Sequence, residues 1–342
     1  MNIFWLFRSN LKSMEYYHKY DNLQDFEENC HDFYMLLPIW LLRNGFMDTA
    51  VVWRLSKIPI NNIEFVVDGK LYSQRWVRNL SEVYKHPKPK ISLFRGGFPE
   101  YDKVVSQNPS HFGTKLYLGT GKRIYPQYGG QYDIYLQEDA KDFKDNMNCM
   151  PFYKTASPKI FRPYDLPEVD HTMNDICWPC NFAQIRHKGQ EDFIKAVGKS
   201  EYLKSLKIVH CGNKPGVGKK ICEKYGVKNI EFRGQVDRKT LNHILNFSKF
   251  GLCMSNRVDG SPRTATEILM SGTPLIVRDL TRLLDFYKKN GVIEVNEKNI
   301  EKKIKDGLEE YDNYKRQVLY SIKHSISFDV ICRKNIYRWQ KI

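Results

Sequence analysis

The stretch Asp259-Gly-Ser-Pro-Arg-Thr-Ala-Thr-Glu267-Ile-Leu-Met-Ser-Gly-Thr-Pro274 sets two carboxylates on either side of a helix start. Ser261 is a good N-cap, and Pro262 suits the first helical position because its missing N–H would have no partner there. Gly272 followed by Thr273-Pro274 ends the helix, and Leu275-Ile276-Val277 reads as the next buried strand. The free N–H groups of Arg263 and Thr264 then stand at a positive helix end, where a diphosphate binds well. Asp259 lies in the loop before that end, and Glu267 lies about a turn and a half inside the helix. A sugar on one side of a diphosphate and a ribose on the other would account for both acids. The plainer reading, equally compatible with the spacing, has Asp259 shaping a turn and Glu267 on the surface of a helix.

An alternation of strands and helices must position this segment. Asp175–Pro179 reads as a strand, Gln190–Val197 as a helix, Lys207–His210 as a strand and Lys219–Tyr225 as a helix. A strand at Asn229–Phe232, a helix at Arg238–Phe247 and a strand at Phe250–Met254 lead into the segment. The order predicts a doubly wound sheet whose ligands sit at the carboxyl ends of its strands. The first half has an N-terminal strand near residues 2–7, an apolar helix around 32–44 closed by Asn44-Gly45, and a strand at Thr49–Leu55. Further strands are expected at Ile63–Val67, Ile91–Phe94, Lys115–Leu118 and Tyr132–Leu136, suggesting a parallel sheet with helices. Arg162 to Asp170 is polar, holds two prolines and has no period, so it reads as an interdomain linker.

The chain has 342 residues, 42% hydrophobic and 27% charged, a composition that folds and a length that suits two domains. The longest apolar run, Phe33–Leu42, contains Pro38 and is about half of what a spanning helix needs. The N-terminus has the wrong order of charge and apolar residues for a secretory signal. Eight scattered cysteines suggest reduced thiols, hence a cytoplasmic protein. With 54 Lys+Arg against 39 Asp+Glu, the net charge of +15 favours anionic partners without choosing among phosphates, acidic lipid or nucleic acid. No nucleic-acid-binding motif supports the last of these as the main role.

Two motifs resemble chemistry they do not fit. Cys177-Trp178-Pro179-Cys180 has redox spacing but closes a strand, whereas redox pairs start a helix, and no second cysteine pair follows for zinc. Gly212 to Lys220, GNKPGVGKK, looks like a phosphate loop but misses the Walker spacing by one residue.

The stretch from Asp175 to about Asp285 resembles the donor-binding domain of glycosyltransferase family 4, whose members carry Glu-x7-Glu followed by a small residue-Gly-x-Pro turn. Here these are Asp259-x7-Glu267 and Ser271-Gly272-Thr273-Pro274. The family's Lys-Gly appears as Lys188-Gly189, its glycine-ended strand as Ile208 to Gly212, and its v-x-F-x-G-x-V as Ile230 to Val236. The resemblance implies an α/β chain of GT-B fold, two Rossmann-like domains with a ligand cleft between them. The expected boundaries are 1–165 for the acceptor domain, 171–320 for the nucleotide-sugar domain, and 321–342 for a terminal helix crossing back.

It also implies a metal-independent glycosyltransferase that retains anomeric configuration, needs no cofactor, and takes a nucleotide diphosphate sugar as donor. Lys188, with Arg186 standing in for an arginine the family places at Phe182, would neutralise the diphosphate. Gly212 and the loop Gly234-Gln235-Val236 would contact the nucleoside, Glu267 would hold the ribose, and Asp259 with the amides of Gly260 and Ser261 would face the sugar. Pro262, Arg263 and Thr264 would complete the helix end. In the first half, Arg95-Gly96-Gly97 and Gly119-Thr120-Gly121 follow expected strands, and such glycines allow close approach to a ligand or simply make turns. The acceptor is expected to be a glycan or lipid-linked molecule, compatible with peripheral contact on an anionic cytoplasmic membrane face. The competing readings are a non-catalytic or epimerase-like GT-B protein and a basic nucleic-acid binder; modified DNA or an anionic lipid as acceptor would combine transfer with the charge.

Overall fold

The computed structural model describes residues 2–9, 20–56, 62–96, 98–118, 131–137, 148–164, 173–182, 189–255, 263–278 and 291–339. The chain divides into two units, Met1–Tyr153 and Lys154–Ile342. Among the described residues no helix is long and apolar enough to cross a membrane.

In the first unit β1 (Ile3–Ser9) is followed by α1 (Leu23–Asn29), α2 (Phe33–Arg43), β2 (Thr49–Leu55), β3 (Ile63–Val67) and β4 (Lys70–Val77). Then come β5 (Ile91–Arg95), α3 (Pro99–Gln107), β6 (Thr114–Leu118), β7 (Ile134–Gln137) and β8 (Cys149–Pro151). The sheet order is β3-β4-β2-β1-β5-β6-β7-β8. The sheet is parallel, as the alternation suggested, except for β3, which pairs antiparallel with β4. Residues Asp68 and Gly69, both at positive φ, make the tight turn between them, the Asp-Gly signature of a hairpin. One sheet face buries Trp5, Phe7, Trp53, Phe94, Tyr101 and Phe112, with Phe7 stacked on Phe94 at 4.4 Å between ring centroids. On α2, Asp32 caps the amino end by accepting from the Tyr34 amide at 3.1 Å, and every residue from Phe33 to Leu42 is buried. That all-round burial accounts for the apolar run.

The second unit runs β9 (Asn174–Pro179), α4 (Gln190–Lys199), α5 (Glu201–Ser205), β10 (Ile208–Cys211), α6 (Pro215–Tyr225), β11 (Ile230–Phe232) and α7 (Arg238–Asn246). It continues through β12 (Ser248–Cys253), α8 (Arg263–Met270), β13 (Leu275–Val277), β14 (Val292–Glu294), α9 (Ile300–Glu309), α10 (Tyr311–Ser321) and α11 (Phe328–Trp339). Strand order is β11-β10-β9-β12-β13-β14, with every pairing parallel. The order reverses between β9 and β12, which opens a crevice beyond their carboxyl ends.

Helix α6 begins at Pro215, four residues before the expected start, so GNKPGVGKK is mostly helix and not a phosphate-cradling loop. Its Gly218 is needed for packing, since a Cβ there would press on the rings of Phe182 and Phe232. The start of the expected linker is anchored on α7: the amides of Arg162 and Tyr164 donate to Asn242 Oδ1 and Asn246 Oδ1 at 3.2 and 2.9 Å.

Candidate active site

Helix α8 brings Glu267 into the second unit's interior. Residues Ala265 to Met270 are all buried, and α8 packs on β12, β13, α7 and the π-helical turn Ile322–Ile326. Gly251 on β12 has no side chain to hold Ile268 away, so the helix lies close on the sheet. Its end is closed as the residue types predict: Gly272 takes φ +75, and Ser271 donates from its amide and hydroxyl to the Glu267 carbonyl at 3.1 and 2.9 Å. Thr273 Oγ1 donates to the Leu245 carbonyl at 2.8 Å, tying the turn to α7.

Glu267 is 2% exposed, which removes the reading of a surface helix residue. Its Oε2 accepts from Arg238 Nη1 at 3.0 Å, while its Oε1 is buried with no hydrogen-bond partner among the described residues. A buried carboxylate oxygen left without a partner costs roughly 1–3 kcal/mol. Arg238 opens α7 directly after the β11 loop, where Asp237 caps the helix by accepting from the Thr240 amide and hydroxyl at 2.9 and 2.7 Å. Thr240's amide holds the Asp237 carboxyl below its usual range. The contact to Arg238 escaped sequence reasoning because the two residues lie 29 positions apart, and no pattern within one helix reports it.

The loops after β10 and β11 meet. Gly212 donates its amide to the Gly234 carbonyl at 2.7 Å, and a Cβ on Gly212 would overlap the Cys180 carbonyl at the end of β9. Gly234 has open space around it and is required instead by its φ of +69. Gln235 is exposed and Val236 half-buried between that turn and Arg238. Gly189 takes φ +62, and a Cβ there would overlap the Met254 carbonyl, so the glycine of Lys188-Gly189 lets α4 start against the end of β12. Arg263 is exposed and Thr264 half-buried at the amino end of α8. Lys188, Arg186, Asp259, Gly260, Ser261 and Pro262 lie outside the described residues.

Phe182 is 2% exposed among Trp178, His210 and Phe232, so the family's arginine position holds a core ring. The Cys-x-x-Cys pair also belongs to the sheet. Cys177 is buried in β9 and hydrogen-bonded to Cys211, with burial first and that bond second pushing its thiol up. Cys180 Sγ is 3.4 Å from His210 Nε2. His210 is fully buried, and burial drives its pKa down to about 4. Among the described residues no group of three or more His, Cys, Asp and Glu is placed to hold a metal ion.

In the first unit, Arg95 ends β5 with its guanidinium 3.9 Å above the Tyr34 ring. Gly96 takes φ +100 and donates to the Leu118 carbonyl at 2.9 Å, so it turns the chain at a strand end. Gly97, Gly119, Thr120 and Gly121 lie outside the described residues.

Residues 183–324, which contain α8, Arg238 and the Gly212–Gly234 turn, match the family model "Glycosyl transferases group 1". These residues form a group 1 glycosyltransferase domain, and the chain has the GT-B fold. No curated protein sequence matches it. Its fold is similar to sucrose-phosphate synthase from Thermosynechococcus elongatus, with TM-score 0.67 and 11% identity over 100% of this chain and 99% of that one. It is also similar to a glycosyltransferase from Rickettsia africae ESF-5, with TM-score 0.67 and 11% identity over 99% and 98%. A third is an alpha-glucosyltransferase in complex with UDP and a 13-mer DNA containing an HMU base, with TM-score 0.61 and 12% identity over 96% and 99%. At these identities the likeness is one of fold, and the site residues of this chain stand on their own geometry.

Proposed function

We propose that the glycosyltransferase takes a nucleotide diphosphate sugar and transfers the sugar, with retention of configuration, to an acceptor bound by the first unit. The observation that carries the donor assignment is Glu267: a carboxylate buried in the second unit, one oxygen held by Arg238 and the other without a partner among the described residues. Vicinal hydroxyls of a ribose supply the missing donors. The diphosphate then falls at the amino end of α8, where helix N–H groups and the positive dipole end meet it. Lys188 and Arg186 add charge there, and Asp259 with Gly260 and Ser261 faces the sugar. UDP is the first nucleotide to test, since an alpha-glucosyltransferase of similar fold binds it.

The chemical demand is to stabilise a leaving diphosphate as positive charge develops on the sugar ring, and fixed cations and helix N–H groups do this without reorganising. The leaving phosphate itself deprotonates the acceptor, so no dedicated base, nucleophile, metal or cofactor is assigned. The acceptor is a glycan or lipid-linked molecule, reached in the cytoplasm or at its membrane face.

Thermal unfolding of the wild type and Glu267→Ala against a panel of nucleotide sugars tests this. The wild type is stabilised by a nucleotide sugar, and the variant is not. Equal responses from both, or none from the wild type, sink the assignment.

A further inference from the structure

Helix α4 starts beside the carboxyl ends of β12 and β13, and Arg278, the residue after β13, holds it there. Gly189 stands at the N-cap with φ +62 and brings no side chain to cap the helix. A Cβ on Gly189 would overlap the Met254 carbonyl and lie 3.2 Å from Arg278 Nη1, so the helix end rests against both the end of β12 and the guanidinium. Arg278 is itself fixed at its backbone and at its fork. Its amide donates to the Cys253 carbonyl at 3.4 Å. Its Nη1 donates to Asp192 Oδ2 in the first turn of α4, and its Nη2 to Glu297 Oε1, past β14, at 2.8 Å. The neighbouring first-turn acid is drawn toward α6: Glu191 Oε1 accepts from Lys224 Nζ at 2.8 Å and from the Tyr225 hydroxyl at 3.0 Å.

A helix end without a side-chain cap is held by its tertiary contacts, and an arginine fork shared by two carboxylates fixes direction as well as distance. Two negative charges stand against one positive in this group, which makes it a poor receptor for a phosphate and a good clamp for a helix. The Arg278 side chain is 21% exposed, so its pair with Asp192 is screened less than one in open solvent. What the clamp holds is the backbone directly after Lys188, and a shift of Gly189 carries Lys188 with it. Misplacing a positioned group by about 1 Å is enough to cost a large factor in binding or rate. We propose that Arg278 is a positioning residue of the donor site, clamping the amino end of α4 and thereby setting where Lys188 stands. This rests on the reading that Lys188 meets the donor diphosphate.

Calorimetric titration of the full chain with UDP, together with amide hydrogen exchange of α4, tests the clamp. Arg278→Gln and Asp192→Ala each weaken UDP binding about tenfold, the double variant binds about as well as either single one, and Arg278→Lys recovers part of the loss. The sign of the Asp192→Ala effect separates position from charge: removing an acid near a diphosphate tightens binding if Arg278 acts through its field, and weakens it if Arg278 acts through α4. Exchange of the amides of residues 193–197 is about tenfold faster in both single variants, while β10 amides keep their wild-type protection and show an intact fold. Should Arg278→Gln not fold, Asp192→Ala, at a half-exposed position, carries the same test. Tighter UDP binding in Asp192→Ala, unchanged binding in Arg278→Gln, or unchanged exchange in α4 overturns the proposal. A wild type that binds no UDP sinks the donor reading instead, and the exchange of α4 still decides whether Arg278 clamps the helix.

Discussion

The two units share a parallel-sheet core, extended in the first by an antiparallel edge strand, but hold their charge and chemistry differently. Residues 1–153 carry 19 Lys+Arg against 17 Asp+Glu, whereas residues 154–342 carry 35 against 22. The basic surplus thus lies almost wholly in the unit that contains α8 and Glu267. In the first unit three arginines align across adjacent strands, Arg8 and Arg54 buried and Arg95 half-buried. The second unit's net charge sets up a field that attracts anions over a distance; the first unit, nearly neutral, sets up little of one. Total charge therefore says little about where the cations of one unit are placed.

The largest effect that would sharpen this contrast concerns backbone approach. Gly212→Ala forces a methyl into the Cys180 carbonyl in the second unit, whereas Gly234 has open space around it and needs only its positive φ. Urea unfolding should show a loss of about 3 kcal/mol or more for the first substitution and about 1–2 for the second. Equal losses would break the distinction between steric and conformational glycines.

The next effect is on pH. His210 has a folded pKa of about 4 against an ordinary 6.5, so the unfolded chain takes up the proton first. Its contribution is complete above about pH 6.5 and is lost as pH falls toward 4, to a total of about 3 kcal/mol. Hydrogen exchange of β9 and β10 amides at pH 7 and 4.5 measures this, and His210→Gln should flatten the response in the second unit while leaving first-unit strands unaffected.

The smallest effect falls on donor binding. Arg238→Ala leaves the buried Glu267 carboxylate without its partner, and with Arg238 at 38% exposed the penalty is partly screened. The donor KM should rise about tenfold with kcat changed less than about threefold. A fall in kcat alone would place Arg238 in the chemical step and not in holding Glu267.

Much of the second unit was legible in the residue types. Gly272, Thr273 and Pro274 mark the end of α8, and the apolar runs Ile208–Cys211 and Leu275–Val277 are its neighbouring strands. The glycines of the four family motifs turned out to be places of close packing or positive φ, a backbone requirement that leaves a trace in sequence. The first unit was less legible. Lys70–Val77 became a strand because it pairs with β2 and β3, and polar residues such as Lys70, Ser73 and Gln74 obscure its period. Arg8 and Arg54 gave no local signal, since each follows an apolar run as an ordinary strand-end cation.

From its sequence alone this protein had two α/β units, a helix ending at a glycine, and the expectation of carboxylates flanking that helix's start. Those depend on neighbours within a few positions, where cap chemistry and side-chain period act. The tertiary structure alone decided that Glu267 is buried against Arg238, that Phe182 fills a core position where relatives place a cation, and that Arg54, Arg8 and Arg95 stand in one row. Each of these is set by strand order and register, which join residues tens of positions apart and leave no periodic mark along the chain.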